Sequence, residues 1–135
     1  MGKTLTFRRG VHPHEGVGEK RATGAKPIEA VPAPALAAIP LLQHAGAPCK
    51  PLVKPGERVY LGQKIGAPDG FVSAAVHASV SGRVKGIQPR IIAGGRRVAA
   101  VILENDGLDE WDPSLAPLPE DAGAEKLLEA VREAG

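Results

Sequence analysis

Four histidines, a single cysteine and three closely spaced serines are the residues of this 135-residue sequence with the means to do chemistry. His12 and His14 stand in His-Pro-His-Glu and offer two imidazoles and the Glu15 carboxylate to a metal. A zinc site takes three or four converging ligands with supporting partners behind them. His44 and His77 lie far off in sequence, so a surface loop is the default reading of the motif. Cys49 has no evident activating base and reads as a small core residue beside Pro48. Alone, it excludes an internal disulfide and fits a reducing compartment. It also excludes an iron–sulfur cluster held by this chain alone, which takes four thiolates. Ser73, Ser79 and Ser81 show no His or Asp partnership in the pattern, and His77 reads as a residue flanking the core. Two glycine-rich pieces, "GVGEK" (16–20) and "AGGRR" (93–97), lack the Gly-x-x-x-x-Gly-Lys-Ser/Thr spacing that cradles phosphate and read as turns. No catalytic, cofactor-binding or metal-ligating residue is assigned.

The elements that carry these residues are short and turn-rich. With 17 Gly and 13 Pro, the composition suits strands joined by tight turns and excludes a helical bundle. Aromatic residues make up 3%, so the core must come from Val, Ile, Leu and Ala. Residues 1–30 read as an irregular N-terminal arm, after a short strand at "TLTF". Residues 31–107 read as the folded domain. "IEAVPAPALAAIPL" gives short extended pieces broken by prolines. "CKPLV" reads as a strand that runs into Lys54-Pro55-Gly56-Glu57. Pro then Gly at the centre of that turn favours type II, with Gly56 at positive φ. "RVYLGQKIG" gives two short strands around a Gly62 turn, and "FVSAAVHA" reads as another strand. In "GRVKGIQPRII", Arg83 and Lys85 alternate with Val84, as in a strand with one wet face. "VAAVILEN" is the most apolar strand and reads as buried on both faces. Residues 108–135 read as an acidic linker and a helix with Leu127, Leu128 and Val131 along one stripe. That helix runs to Gly135 with little left to pack against, and the expectation is that the natural chain continues.

The net charge of +2 hides an asymmetry. Residues 1–103 hold 15 basic and 5 acidic residues, a balance of +10; residues 104–135 hold 2 and 10, a balance of −8. The basic residues are scattered and stacking aromatics nearly absent, which argues against nucleic acid. An acidic partner or an anionic membrane surface is the alternative to a plain solvated face. The opening residues are polar and basic with no apolar region behind them, and the apolar tract at 31–42 is short and proline-broken. A soluble chain is expected.

"VKPGERVYLGQKIG" resembles the first hairpin of biotinyl and lipoyl carrier domains, and "VHASVSGRVKGI" resembles their closing strands. The carrier lysine's place falls at about Phe71, so the arm that takes the cofactor is missing. In order, "TFRRGVHPHE", "KPI" at 26–28, "IPLLQHAGAPCKPLVKPGERVYLGQKIG", "VHASVSGRVKGI" and "ILENDG" are similar to the N-terminal region of RnfC. That protein is the peripheral electron-transfer subunit of the Rnf ion-translocating complex. The resemblance implies a mainly β barrel-sandwich hybrid, lipoyl/biotinyl-like, with an irregular N-terminal arm and a C-terminal helix. It implies a parent subunit with FMN, NADH and [4Fe–4S] clusters, all held downstream of this region. The implied partners are the other Rnf subunits and the following domains of the same chain, on the cytoplasmic side of the bacterial inner membrane. The N-terminal module of a related sodium-pumping NADH:quinone reductase subunit, that of a cobalamin-reducing protein, and a stand-alone adaptor share the fold and stay open alternatives. A cofactor carrier would need the lysine that is absent.

Overall fold

A computed structural model describes residues 24–135. The expected short strand at "TLTF", most of the N-terminal arm, the His-Pro-His-Glu motif and the "GVGEK" loop lie outside the described residues. The chain divides into two units, residues 1–32 and 33–135. Within the first, residues 24–32 are exposed irregular chain after a turn at Gly24-Ala25.

In the second unit, seven strands form two antiparallel sheets. β1 (Leu36–Pro40), β7 (Arg97–Asn105), β6 (Gly82–Ile91) and β3 (Arg58–Val59) make one, in that order. β2 (Lys50–Pro51), β4 (Lys64–Ala67) and β5 (Val76–His77) make the other. The architecture is mostly β with one C-terminal helix, α1 (Ala124–Ala134), as the sequence implied.

Between the sheets lies a core of aliphatic side chains: Ile39, Leu41, Val53, Val59, Ile65, Val76, Val80, Val84, Val101 and Leu103, with Cys49 and Ala78. Each fully buried Val, Ile or Leu contributes roughly 2 kcal/mol through burial, which makes up for the aromatics the core lacks. Phe71 and Trp111 are exposed instead. β7 is buried continuously from Ala100 to Leu103, so both faces of its centre are covered. Val101 and Leu103 face the core cluster, while Ala100 and Ile102 alternate onto the opposite face. That matches the unbroken apolar run.

Two expected strands are shorter in the structure. "CKPLV" forms a strand only at Lys50 and Pro51, with one further bond from Leu52 N–H to the Ile65 carbonyl at 2.9 Å. "FVSAAVHA" pairs only at Val76 and His77. Its first residues turn away: the Val72 carbonyl accepts from Ala47 N–H at 2.9 Å, and Phe71 and Val72 face solvent.

Turns close the sheets where the sequence demanded them. Glu57 N–H donates to the Lys54 carbonyl at 3.1 Å, and Gly56 sits at φ +87°, as type II geometry requires. A Cβ at Gly56 would meet nothing within 4 Å, so its cost is conformational alone. Gly82 is different. At φ +150°, a Cβ there would lie 1.9 Å from the Glu104 carbonyl oxygen on the paired strand. Between Val84 and Gly86 the β6–β7 register shifts by one residue, a bulge that absorbs Lys85.

Two substitutions therefore separate strain from clash. Gly56→Ala should destabilise the domain by about 1 kcal/mol, the cost of a Cβ at positive φ. Gly82→Ala should cost several times more, because the Glu104 backbone has to move. Thermal melts of both variants check this; equal midpoints would mean that β6 and β7 do not approach as described.

Candidate functional site

Three polar clusters are built onto this frame, and none of them is a catalytic constellation. The first lies under the β4–β5 loop. His44 Nε2 is 3.0 Å from the Ala47 carbonyl and 3.1 Å from Ser73 Oγ. Ser73 Oγ donates to the same carbonyl at 2.9 Å and accepts from Asp69 N–H at 3.3 Å. The sequence pattern showed no histidine partner for Ser73, and the structure corrects that: residues 29 apart in the chain meet here. The serine's proton is nevertheless committed to a backbone carbonyl, so His44 is not placed to take it. The pair is a tie that holds the loop. Cys49 Sγ donates to the Ala74 carbonyl at 2.9 Å, and burial pushes the thiol above its ordinary value. A protonated buried thiol is a core residue, as its setting beside Pro48 implied.

That loop presents Phe71 fully exposed, at about the place where the resemblance to carrier domains puts their lysine.

The second cluster fastens the acidic segment after β7. Ser81 is wholly buried, donates from Oγ to Asp106 Oδ1 at 2.6 Å and accepts from Glu110 N–H at 3.1 Å. Here too the expectation of an unpartnered serine fails, since a residue 25 positions away completes the bond. Arg58 bridges Glu110 at 2.5 Å and Asp106 at 3.3 Å, with its guanidinium 5.5 Å from the Tyr60 ring centroid. None of the described histidines enters the cluster, so Ser81 has an orienting carboxylate but no base. The Ser81 hydroxyl, then the Leu108 N–H and Arg58, hold the Asp106 carboxyl below its ordinary range.

The third cluster places α1. Lys64 on β4 pairs with Glu133 on α1, over a groove of about 580 Å³ that His77, Leu115, Leu118 and Ala130 help to line. The stripe of Leu127, Leu128 and Val131 remains exposed. Ser79 is exposed, and "AGGRR" forms the β6–β7 hairpin turn rather than leading into a helix. No group of three His, Cys, Asp or Glu among the described residues is arranged to hold a metal ion.

Arg83 and Lys85 project from the sheet, as their alternation with Val84 required, but both are engaged. Arg83 Nη1 donates to the Gly56 carbonyl at 2.7 Å, and Lys85 pairs with Glu104 at 3.2 Å. The sequence carried no signal for these long-range clasps, since their members come from separate strands and the linker.

Two short-stranded sheets closed by tight turns around one aliphatic core, with a loop at the carrier position, define a barrel-sandwich hybrid. Residues 5–108 match the family described as the RnfC barrel sandwich hybrid domain, and the chain belongs to that family. It is 45% identical over 132 residues to a subunit of the Na(+)-translocating ferredoxin:NAD(+) oxidoreductase complex of Acetobacterium woodii, covering 96% of this chain and 29% of that protein. It is 39% identical to the counterpart in the proton-translocating ferredoxin:NAD(+) oxidoreductase complex of Clostridium ljungdahlii, covering 96% of this chain and 28% of that one. With the counterpart in the ion-translocating oxidoreductase complex of Rhodobacter capsulatus, identity is 38% over 98% of this chain and 26% of that protein. The chain thus spans less than a third of the length of these relatives.

The Asp106 clasp has a testable pH signature. A carboxyl depressed in the folded state stabilises the fold above its ordinary value, near 4, and loses that contribution as pH falls through the depressed value. Asp106→Asn should therefore flatten the acid side of the stability curve, with a smaller loss between neutral pH and pH ~2 than the parent shows. Melting midpoints across that range are the measurement. Parallel curves would exclude a clasp that depends on the charge.

Proposed function

We propose that this chain is the N-terminal docking and positioning module of an RnfC-type subunit. That subunit would work in a membrane-associated complex that couples electron transfer between ferredoxin and NAD to ion translocation. The observation that carries the reading is the match to these oxidoreductase-complex proteins along nearly the whole of this chain and only a fraction of theirs. In this reading residues 1–30 are an arm, 31–107 the sandwich, and 108–135 a linker and helix leading into downstream domains.

The redox cofactors of such a subunit do not fit the chain's cysteine count or its described residues. Cys49 is the chain's only thiol, and it is buried in a hydrogen bond to the Ala74 carbonyl. The glycine-rich turn at 93–97 joins two antiparallel strands and does not open a helix. FMN, NADH and [4Fe–4S] clusters belong, on this proposal, to other parts of the parent. The module contributes attachment: to the other subunits of the complex, to its own downstream domains through the apolar stripe of α1, and to the cytoplasmic face of the membrane. Among the described residues no helix is long and apolar enough to cross a bilayer, so the membrane contact proposed here is peripheral.

Two measurements test the proposal. The purified chain should have its unmodified mass and no flavin absorbance after desalting; a lipoyl or biotin adduct would return it to the carriers. Co-expressed with the remaining subunits of such a complex, it should co-purify with them, and less so as salt rises, because exposed charges are screened over about 8 Å at physiological ionic strength. No association at low salt would leave only a structural cap.

A further inference from the structure

We infer that the tip of the β6–β7 hairpin, residues 88–97, is a docking surface for the anionic headgroups of a bilayer. The inference rests on the membrane-associated module proposed above and assigns its membrane contact to particular residues.

Among the described residues the outer part of the hairpin is unpaired along both edges, although Ile92, Ala93 and Arg96 line a cleft with Leu42, Gln43 and His44. β3 pairs with β6 only at Gly82 and Arg83, with the Gly56–Glu57 turn bonded to Val84. On the other side, β1 follows β7 from Glu104 to Ala100, and Leu41 N–H reaches the Ala99 carbonyl. Beyond those points neither outer edge of the ribbon has a ladder partner among the described residues. Side chains follow suit: in β6 every residue from Ile87 to Ile91 is exposed.

The charge on this tip is sorted. From Arg83 to Leu103 the sequence has five basic residues and no acidic one. Among the described residues Lys50, Arg58, Lys64 and Lys85 each pair with a carboxylate. Arg90, Arg96 and Arg97 pair with none of the described carboxylates; Arg90 reaches only the Pro89 carbonyl and the Gln88 side-chain oxygen. On the body Lys54 and Arg83 also pair with none of the described carboxylates, Arg83 meeting only the Gly56 carbonyl, but the tip gathers three such arginines within residues 90–97 and no acidic residue.

The arrangement favours a lipid surface over an acidic protein. In the ladder Arg90 lies opposite Val98 and Ile91 opposite Arg97, so by strand alternation Arg90 and Arg97 point to opposite faces of the ribbon. A protein contact engages one face. A headgroup layer entered end-on meets charges on both. At the end of β6 Ile91 is 69% exposed, and beyond the half-buried Ile92 the exposed Ala93, Gly94 and Gly95 complete a short uncharged turn that can enter the headgroup region between the arginines. Each basic residue near an anionic leaflet is worth about fivefold in partitioning, so three give on the order of a hundredfold. One exposed isoleucine adds little alone. The tip is thus a second attachment that acts together with subunit assembly.

The test is co-sedimentation of the purified chain with phosphatidylcholine vesicles, with and without phosphatidylglycerol, at low salt. Binding should require phosphatidylglycerol. Arg90→Gln, Arg96→Gln and Arg97→Gln together should reduce it on the order of a hundredfold, with an unchanged melting midpoint. Ile91→Ser should weaken it several-fold and leave its salt dependence alone. Arg83→Gln with Lys85→Gln should change it little. Inorganic phosphate should compete no better than chloride at matched ionic strength. Undiminished binding by the triple variant, equal loss in the Arg83/Lys85 pair, or selective displacement by phosphate would each overturn the assignment. If the triple variant fails to join the other subunits while the parent chain ignores vesicles, the tip contacts protein: the lipid assignment falls and the docking-module reading stands. If the parent chain joins no subunits, it is the module reading that fails.

Discussion

The pairing of β6 with β7 is the constraint on which the rest of the domain depends. Each of the two strands carries a further strand on its outer edge, β3 on β6 and β1 on β7, so the larger sheet exists only through this ladder. The same ladder supplies Val84, Val101 and Leu103 to the core. It is possible because Gly82 lets β6 start flush against the Glu104 backbone. The bulge at Lys85 then resets the register, so that Val84 and, beyond the bulge, Ile87 stand opposite the core-facing Leu103 and Val101. One ribbon thus does two jobs along its length. Its base is flanked by β3 and β1 and holds the fold; its end has unpaired edges among the described residues and is basic.

A second constraint is electrostatic. Carboxylates from the end of β7 and the segment after it meet the basic body that precedes them: Glu104 with Lys85, Asp106 and Glu110 with Arg58, Glu133 with Lys64. These are partly exposed pairs, and their individual worth in water is small. Their effect on surface potential is larger than their effect on stability, because they cancel charge where they form and leave it where they do not. Ser81 makes the arrangement specific. A buried hydroxyl must be satisfied, and only Asp106 and the Glu110 backbone do so, which fixes the path of the linker. Trp111 then bridges to Leu61, and the linker runs along the sandwich instead of hanging free.

Much of this was legible in the sequence because it is local. Pro55-Gly56 encodes its own turn, the apolar run from Val98 to Leu103 encodes a doubly covered strand, and the alternation around Val84 encodes a wet face. The ordered motifs carried the family. What stayed hidden is whatever joins residues far apart. Nothing in the spacing of Ser81 and Asp106, or of His44 and Ser73, marks them as partners, since a hydroxyl's partner is chosen by the fold. The strand expected over 71–78 was overestimated for a related reason. Its β-prone composition is genuine, but the backbone of Val72 is claimed by Ala47, and a tertiary bond outweighs a propensity worth tenths of a kcal/mol per residue. The separation of paired from unpaired cations was equally invisible, because a net balance of +10 does not say which charges the tail reaches.

The loop at the position where carrier domains bear their lysine is held firmly in this chain. The β4–β5 loop is not slack: Ser73, His44, the Ala47 carbonyl and the Asp69 amide tie it down from beneath, and Lys50 pairs with Asp69 at its side. A swinging arm needs a firm platform and a free amine. Here the platform remains and carries an exposed phenyl ring, which cannot be acylated and gains only by being covered. In a chain with so few aromatics, both that ring and the indole of Trp111 lie outside the core. Burial at an interface is where such side chains contribute the most free energy. An exposed phenyl ring on a tied-down loop is a side chain that covering would stabilise, and the core does not depend on it, since Phe71 is not part of the buried cluster.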